Sequence, residues 1–272
     1  MQNYPTNPIN MFTNIYKHRE LISASVKREV LGRYRGSILG LLWSFFNPII
    51  MLAVYTFVFS TVFNTRWDIN GQSKTEFALI LFAGLIIFHL FAECITRAPS
   101  LILQNTNYVK KVIYPLEILP FVSLLSALFN SIISLGVWLL AYLAIFGLPH
   151  VTVLYLPFIL LPFLFLLMGF SWALAGLGVY LRDISQIISV FTTMLMFLSP
   201  IFYPITALPE KFRYLILFNP LASVIEQVRD ALYFGKPPLL DQLAIYWLVT
   251  LLIAWIGFSF FQKMRKGFAD VL

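Results

Sequence analysis

Charged residues are scarce in this 272-residue chain. Asp, Glu, Lys and Arg make up 11% of it, whereas a soluble domain usually carries about 25%. Hydrophobic residues reach 60%, and a soluble domain of this length could not cover its surface with so few charges. The composition therefore excludes a soluble enzyme, a secreted disulfide-rich protein and a disordered chain. It predicts an all-α polytopic membrane protein.

Residue types that carry common site chemistry are also few. The single cysteine, Cys94, lies in an apolar run, so neither a disulfide framework nor a cysteine-based metal site is expected. The chain has no Gly-x-x-x-x-Gly-Lys-Ser/Thr run and no His-Glu-x-x-His run. We therefore expect no catalytic residue, no metal site and no nucleotide bound by this chain. The net charge of +7 lies on no soluble basic domain, so nucleic acid is not an expected partner.

Six stretches are long and apolar enough to cross a bilayer as helices, which takes roughly 20 residues each. They are about Ile38–Phe63, Phe77–Thr96, Ile118–Phe146, Val153–Leu181, Ile187–Ile205 and Leu243–Phe261. The prediction is a six-span transmembrane domain over residues 38–272, preceded by a cytosolic tail and an interface helix over residues 1–37.

The basic residues predict the orientation of the spans, because cytoplasmic loops carry an excess of Lys and Arg. With the N-terminus inside, most of the 19 basic residues fall in inner segments. These are Lys17, Arg19, Lys27, Arg28, Arg33, Arg35, Arg97, Lys110, Lys111, Arg182, Lys263, Arg265 and Lys266. Both termini are therefore expected in the cytoplasm.

Four segments do not read as spans, and one of them, Leu181–Ile184, is a short inner turn between spans four and five. Phe12–Arg35 has apolar residues at helical spacing with basic residues between them, which predicts an amphipathic helix in the inner interface. That helix would serve either as a simple membrane anchor or as a docking surface for a cytosolic partner. Residues 97–117 are predicted to form an inner loop. The loop either contains a short helix that ends at Tyr114-Pro115 or is an ordinary basic loop.

The long outer connection, residues 203–238, is too polar to span, yet it keeps apolar positions at helical spacing. These positions are Leu221, Val224, Ile225, Val228 and Leu232, and Asn219-Pro220 divides the segment in two. A pair of short re-entrant helices that line a pathway fits this pattern better than a free loop.

Ionisable residues inside the predicted spans are rare, and His89, Glu93 and Arg97 share one face of span two. One interpretation is an ion-coupled relay. The other is a Glu93–Arg97 pair that reaches the inner interface, with His89 hydrogen-bonded in the packing.

Aromatic residues reach 17% of the chain. Tyr55, Phe59 and Phe63 form a stripe in span one, and Phe197, Phe202, Tyr203, Tyr214 and Phe218 follow in span five and the segment after it. Interface belts and core packing explain such residues. Aromatic faces along a path could also hold a sugar chain without fixed hydrogen bonds.

Three motifs, in order along the chain, resemble those of the ABC-2 type permeases that export polysaccharides, especially the O-antigen permeases of lipopolysaccharide export. They are RYRGSILGLLWSFFNP at 33–48, VKKVIYPLEILP at 109–120, and LSPIFYP at 198–204 followed by FNPL at 218–221.

The resemblance implies a homodimer in the inner (plasma) membrane, bound to two copies of a separate ATPase that holds ATP and Mg²⁺. The cargo would be a lipid-linked polysaccharide, with Gly32–Gly40 as a hinge into span one. Residues implied to couple to the ATPase are Asn107, Tyr108, Lys110, Lys111, Tyr114, Pro115, Arg28 and Arg33. Those implied to line the sugar channel are Tyr55, Phe59, Phe63, Phe197, Phe202, Tyr203, Tyr214 and Phe218.

Several alternatives stay open at this point. A teichoic acid or capsule permease would share the same motifs, and a drug or lipid permease would have a smoother apolar cavity. An ion-coupled carrier would depend on Glu93, and an intramembrane transferase would need a cluster of carboxylates or a histidine near one membrane face.

Overall fold

A computed structural model describes residues 6–58, 74–110, 114–217 and 219–272. Within these ranges the regular structure is helical. The α-helices are α1 Pro8–Lys17, α2 Arg19–Arg33, α3 Trp43–Phe57, α4 Lys74–Arg97, α5 Leu101–Gln104, α6 Thr106–Lys110, α7 Leu119–Phe146, α8 Leu156–Tyr180, α9 Ile184–Leu198, α10 Glu210–Leu217, α11 Pro220–Arg229, α12 Leu240–Met264 and α13 Phe268–Val271. A π-helical turn, Asp230–Phe234, continues α11.

Five helical stretches in the described ranges are long and apolar enough to cross a membrane. They are Gly40–Phe57, Thr75–Gln104, Leu116–Phe146, Val151–Tyr180 and Leu240–Val271, and they match five of the six predicted spans. Residues 59–63 of the first predicted span lie outside the described residues. The remaining predicted span, 187–205, corresponds to the shorter apolar helix α9.

Helix α9 ends at Leu198, seven residues before the predicted end. The cause is local: Ser199 is extended, with φ −89° and ψ 150°, because the residue before a proline avoids the helical region. At 15 residues, α9 is about 22 Å long.

Helix α4 lies at the centre of the bundle. It packs against α3, α7, α9 and α11, and residues such as Ile80, Leu81 and Ala83 are fully buried. A hydrophobic run this completely covered belongs to the interior of a bundle rather than to its lipid-facing surface.

Helices α8 and α12 form the most extensive helix pair of the described structure. Gly169 and Gly257 lie at their crossing, where a Cβ on Gly257 would come within 2.1 Å of the Gly169 carbonyl oxygen. Small residues at a crossing let two backbones approach closely, which is how transmembrane helices gain packing contacts.

The predicted amphipathic helix over Phe12–Arg35 is two helices that meet at His18. No proline or glycine accounts for the break. Instead, α1 packs on α12 while α2 packs on α7, so each half follows a different neighbour. The chain then leaves α2 and turns into α3 through Gly36 and Gly40, both at positive φ, where glycine has no steric penalty.

Side-chain hydrogen bonds join elements toward both ends of the bundle, and the end nearer to α1 and α2 is called the N-terminal end. At the N-terminal end, Trp255 and Ser259 donate to the Thr6 carbonyl, and Tyr180 donates to the Met264 carbonyl at 2.8 Å. At the opposite end, Thr152 donates to the Ala231 carbonyl at 2.6 Å.

Residues 203–238 contain α10 and α11, divided at Asn219-Pro220 as the sequence predicts. The Asn219 side chain accepts a hydrogen bond from the Leu221 backbone N–H at 2.9 Å, a typical N-cap, and Pro220 occupies the first helical position. The apolar positions predicted to share one face are buried: Leu221, Val224, Ile225, Val228 and Leu232.

Candidate coupling and translocation sites

Two tyrosines form the base of the 97–117 loop. Tyr108, in α6, and Tyr114, which follows the loop's tip, stack with ring centroids 4.3 Å apart and planes 10° apart. Residues 111–113, including Lys111, lie outside the described residues, as does the side chain of Lys110. The stack therefore brings the two flanks of the loop's tip together.

This tyrosine stack is attached to α2. Arg28 donates to the Tyr108 hydroxyl at 2.8 Å, and the hydroxyls of Ser25 and Tyr114 lie 3.4 Å apart. Burial raises the pKa of the Tyr114 phenol more than the Ser25 hydrogen bond lowers it, so this hydroxyl stays protonated. Loop and interface helix are thus held together as one unit.

The residues implied to contact an ATPase differ in exposure. Asn107 and Arg28 are exposed and Pro115 is half-buried, whereas Tyr114 is only 8% exposed. Tyr114 is therefore placed to support the loop from beneath rather than to contact another protein.

A buried ion pair at the same end was missed from the sequence. Arg265 lies 2.5 Å from the carboxylate of Glu117, and the two side chains are 13% and 10% exposed. Asn14 donates to the same carboxylate at 3.2 Å, and Trp172 donates to the Glu117 carbonyl at 2.9 Å. This junction joins α1, α8, the start of α7 and the end of α12. The sequence feature that could have indicated this pair is that Glu117 and Arg265 both fall in predicted inner segments and carry opposite charges.

Span two and α2 are joined by a network of charged side chains. Glu93 pairs with Arg33 and also accepts from Arg97 at 3.4 Å, while Arg97 lies 2.5 Å from Glu29. Burial lowers the pKa of Arg33, but the hydrogen bond and the charge of Glu93 outweigh it, and the net pKa is raised.

These contacts settle part of the span-two interpretation. The Glu93–Arg97 pair is confirmed. The expectation that His89 is hydrogen-bonded in the packing is wrong, because His89 is exposed and makes no hydrogen bond to another described residue. Arg33, implied to couple to an ATPase, is oriented toward Glu93 within the bundle.

Three of the predicted channel aromatics lie together at the end of α9 and just after it. Phe197 stacks on Phe202 with centroids 6.0 Å apart, and the Tyr203 hydroxyl donates to the Phe197 carbonyl at 3.1 Å. Phe197 is 60% exposed. Tyr55 is half-buried against the core.

The other predicted channel residues are not placed. Phe59, Phe63 and Phe218 lie outside the described residues, and so does the side chain of Tyr214. The stripe predicted for span one is thus represented by Tyr55 alone.

Arg229 lies in the connection that the sequence predicts to be too polar to span. It is nevertheless the most buried charged residue in the described part of the chain. It is 2% exposed and donates to the carbonyls of Ile80 at 2.9 Å, Ile201 at 2.6 Å and Pro200. The guanidinium thereby joins α11 to α4 and to the turn after α9. Helical periodicity did not mark Arg229 as buried, because it is polar.

Within the described residues, no group of three or more His, Cys, Asp or Glu side chains could hold a metal ion. In the described residues, the N-terminal end consists of packed helices joined by ion pairs and hydrogen bonds.

The chain matches known proteins over most of its length. The ABC-2 type transporter family model matches residues 20–233. The O-antigen export system permease protein RfbA of Myxococcus xanthus is 29% identical over 264 residues, which covers 96% of this chain and 99% of that protein. The same-named permease of Klebsiella pneumoniae is 25% identical, over 93% of this chain and 95% of that protein.

A further relative is the polysialic acid transport protein KpsM of Escherichia coli, 26% identical over 90% of this chain and 94% of that protein. Together with the long apolar helices, these matches identify a multi-pass protein of the inner membrane. The chain belongs to the ABC-2 type transporter family.

Proposed function

We propose that this chain is the permease subunit of an ATP-driven exporter that moves a lipid-linked polysaccharide of the O-antigen type across the inner membrane. The observation that carries the proposal is the similarity, over nearly the whole chain, to permeases named for O-antigen export. The family match over residues 20–233 includes the α2 helix, the 97–117 loop and α11.

The excess of basic residues at the N-terminal end supports a cytoplasmic location of both termini. Helix α9 supports a sixth crossing. It starts just after α8 ends, beside Tyr180 at the N-terminal end. It is followed by Pro200 and Ile201, whose carbonyls are bound by Arg229 together with that of Ile80, near the start of α4.

Coupling would pass through the 97–117 loop and α2. A separate ATPase, which binds ATP and Mg²⁺, would contact the tip of the loop with Lys110 and Lys111. Since Tyr108, Tyr114, Arg28 and Ser25 join the loop to α2, a displacement of the tip would move α2. The ATPase shifts the permease between states only if it interacts differently with each.

The proposed homodimer rests on the resemblance to the export permeases, and α3 and α9 would form its interface. Helix α3 exposes Phe45 and Ile49, and α9 exposes Phe191 and Met194. A second copy packed against these faces would place Phe197 and the neighbouring rings beside the shared axis, where aromatic faces could hold a sugar chain as it passes. Two ATPase subunits would then serve two loops.

Two other candidates are weighed by specific observations. A capsule permease is supported by the similarity to a polysialic acid transport protein, and teichoic acid export would use the same machinery. An ion-coupled carrier is less well supported, because Glu93 is engaged by Arg33 and Arg97. An intramembrane transferase is less well supported for the same reason, because Glu93, one of its candidate carboxylates, is held in these ion pairs.

The experiment is charge reversal at the loop's tip. Lys110→Glu with Lys111→Glu should abolish both co-purification with the partner ATPase and display of polysaccharide on the cell surface. Opposite charges across an interface attract, and like charges repel at a cost of several kcal/mol. The control, Lys263→Glu, reverses an exposed charge in α12 outside the loop and should retain both.

Two results would contradict the proposal. Surface polysaccharide that persists without this chain would refute the export function. Normal export and normal co-purification by the doubly reversed variant would refute coupling through this loop.

A further inference from the structure

The polar face of α4 opens into a cavity of about 580 Å³. Among the residues of α4 whose exposure is described, His89 is the one that is exposed, and Glu93 and Thr96 are half-buried on the same face. Helix α4 is otherwise the most thoroughly buried span of the described structure. A polar stripe on the central helix of a membrane bundle marks a wet, functional space.

Three other parts of the chain complete the cavity. Helix α3 contributes Asn47 and Met51, α7 contributes Asn130 and Ser131, and Arg33 closes the end toward α2. Helices α3 and α4 supply both polar and apolar side chains and α7 supplies polar ones, a mixed lining of the kind that ligand pockets in proteins generally have.

The charges around the cavity are balanced. Arg33 and Arg97 are matched by Glu29 and Glu93, which pair with them directly. Asn130 donates to Glu93 at 3.4 Å and accepts from Tyr34 at 3.4 Å. A neutralised and hydrogen-bonded network has little attraction left for a free anion, so the cavity favours a ligand without net charge.

Hydrogen-bonding groups are nevertheless left available. The side chains of Asn47, His89 and Ser131 line the cavity and make no hydrogen bond to another residue in the described part of the chain. They come from three different helices and offer both donors and acceptors. Pro48, Phe82 and Ile86 provide an apolar wall beside them. A sugar ring matches this lining, because its hydroxyls both donate and accept hydrogen bonds and its C–H faces are apolar.

We propose that this cavity is a saccharide-binding site within each protomer, which takes neutral, hydroxyl-rich sugar residues through Asn47, His89 and Ser131. It is separate from the aromatic cluster of Phe197, Phe202 and Tyr203. In the proposed orientation it lies in the half of the membrane nearer the cytoplasm, because Arg33 and Arg97 close it on the side of α2. The inference rests on the proposed export of polysaccharide and assigns part of the sugar to a site in each subunit.

The test uses the full permease–ATPase complex in lipid nanodiscs, with Cys94→Ala to remove the native thiol. Ser131→Cys should react with a hydrophilic maleimide about tenfold or more faster than Ser126→Cys, because thiol reactivity follows access. Ser126 is the matched control, since it lies on the same helix but is fully buried. The probe ligand is the oligosaccharide released by mild acid from the producing cell's own surface polymer, and it should slow labelling of Ser131→Cys.

Adding Asn47→Ala and His89→Ala should weaken this protection about tenfold, as expected for the loss of one or two hydrogen bonds to a ligand. Nucleotide hydrolysis measured in parallel shows that each variant is assembled. Equal labelling of Ser131→Cys and Ser126→Cys would refute the wet cavity. Labelling slowed by inorganic diphosphate but not by the oligosaccharide would refute a neutral sugar ligand, as would protection that the two alanine substitutions leave unchanged.

Failure of this inference and failure of the proposed function give different results. If the cell still displays its polymer through this chain but the oligosaccharide gives no protection, the cavity assignment alone is wrong. If the chain is dispensable for polymer display, the proposed function is wrong, and the labelling contrast still reports whether the cavity is accessible to water.

Discussion

At the scale of single residues, Glu117 joins α1, α8 and the end of α12 to the start of α7. Its side chain reaches Arg265 and Asn14, and its carbonyl accepts from Trp172. Since Glu117 comes three residues after Tyr114, this junction fixes the point at which the 97–117 loop enters α7. A buried pair of this kind is costly to break, because the remaining partner keeps its charge without compensation.

Removing the carboxylate should therefore destabilise the protein. We expect Glu117→Ala to lower the free energy of unfolding by about 3 kcal/mol, at the lower end of the range for breaking a buried pair. Thermal unfolding followed by tryptophan emission measures this, and Trp172 reports on the junction itself. Glu117→Ala combined with Arg265→Ala should lose less than the sum of the two single variants, because the pair interacts.

The exposed pair Lys236–Asp230 is the control. Its atoms are 3.9 Å apart and its side chains are 66% and 40% exposed. Lys236→Ala should change stability by less than about 1 kcal/mol. A loss from Glu117→Ala no larger than this would show that the junction does not hold the N-terminal end together.

At the scale of elements, the crossing of α8 and α12 depends on glycine. A Cβ on Gly257 would lie 2.1 Å from the Gly169 carbonyl oxygen, and a Cβ on Gly169 would lie 2.6 Å from the Ile253 carbonyl oxygen. Both obstacles are backbone atoms, so no side chain can rotate away. The two helices would have to move apart along their crossing.

Gly257→Ala should therefore reduce stability by about 1–3 kcal/mol, the usual cost of overpacking a well-packed interior. The matched control is Gly136→Ala, inside α7, where nothing lies within 4 Å of the added carbon. That variant should be neutral or more stable by up to about 1 kcal/mol, because alanine favours the helix. The measurement is the midpoint of thermal unfolding of each variant in detergent. Equal midpoints for the two variants would contradict the close crossing of α8 and α12.

Much of the element pattern could be predicted from the sequence. The apolar runs identified α4, α7, α8 and α12, and Asn219-Pro220 correctly divided the outer connection. What escaped prediction was set by neighbours in space. The break at His18 arises because α1 and α2 pack on different helices. The burial of Arg229 requires the carbonyls of Ile80, Pro200 and Ile201, which all lie far from Arg229 in the sequence.

In the candidate site, too, the features that could not be predicted from the sequence depend on neighbours in space. Composition and motifs marked the 97–117 loop, but a motif cannot tell a side chain that faces a partner from one that supports it, and Tyr114 is of the second kind. Likewise, the spacing of His89, Glu93 and Arg97 placed them on one face. The cavity beside that face exists only because α3 and α7 approach it.

At the scale of the whole molecule, the short helix α9 poses a physical problem. A length of about 22 Å is less than the roughly 30 Å of hydrocarbon that a spanning segment must cross. Backbone outside a helix is tolerated at membrane depth only where its polar groups are satisfied within the protein. Arg229 meets this condition, because it binds the carbonyls of Pro200 and Ile201 directly after α9. Its own charge is screened from lipid by its burial at 2% exposure.

A crossing by α9 makes a sharp prediction about sidedness. With Cys94→Ala as background, Lys236→Cys should be labelled by a membrane-impermeant maleimide added to intact spheroplasts. Asp183→Cys, before α9, should be labelled only after the membrane is opened. Both native side chains are exposed, so a difference in labelling reports the side of the membrane and not burial in the protein. If α9 instead lay along the surface, the two positions would share one side and label under the same condition. The chain would then cross five times, and Arg229 would bind a turn that had never entered the membrane.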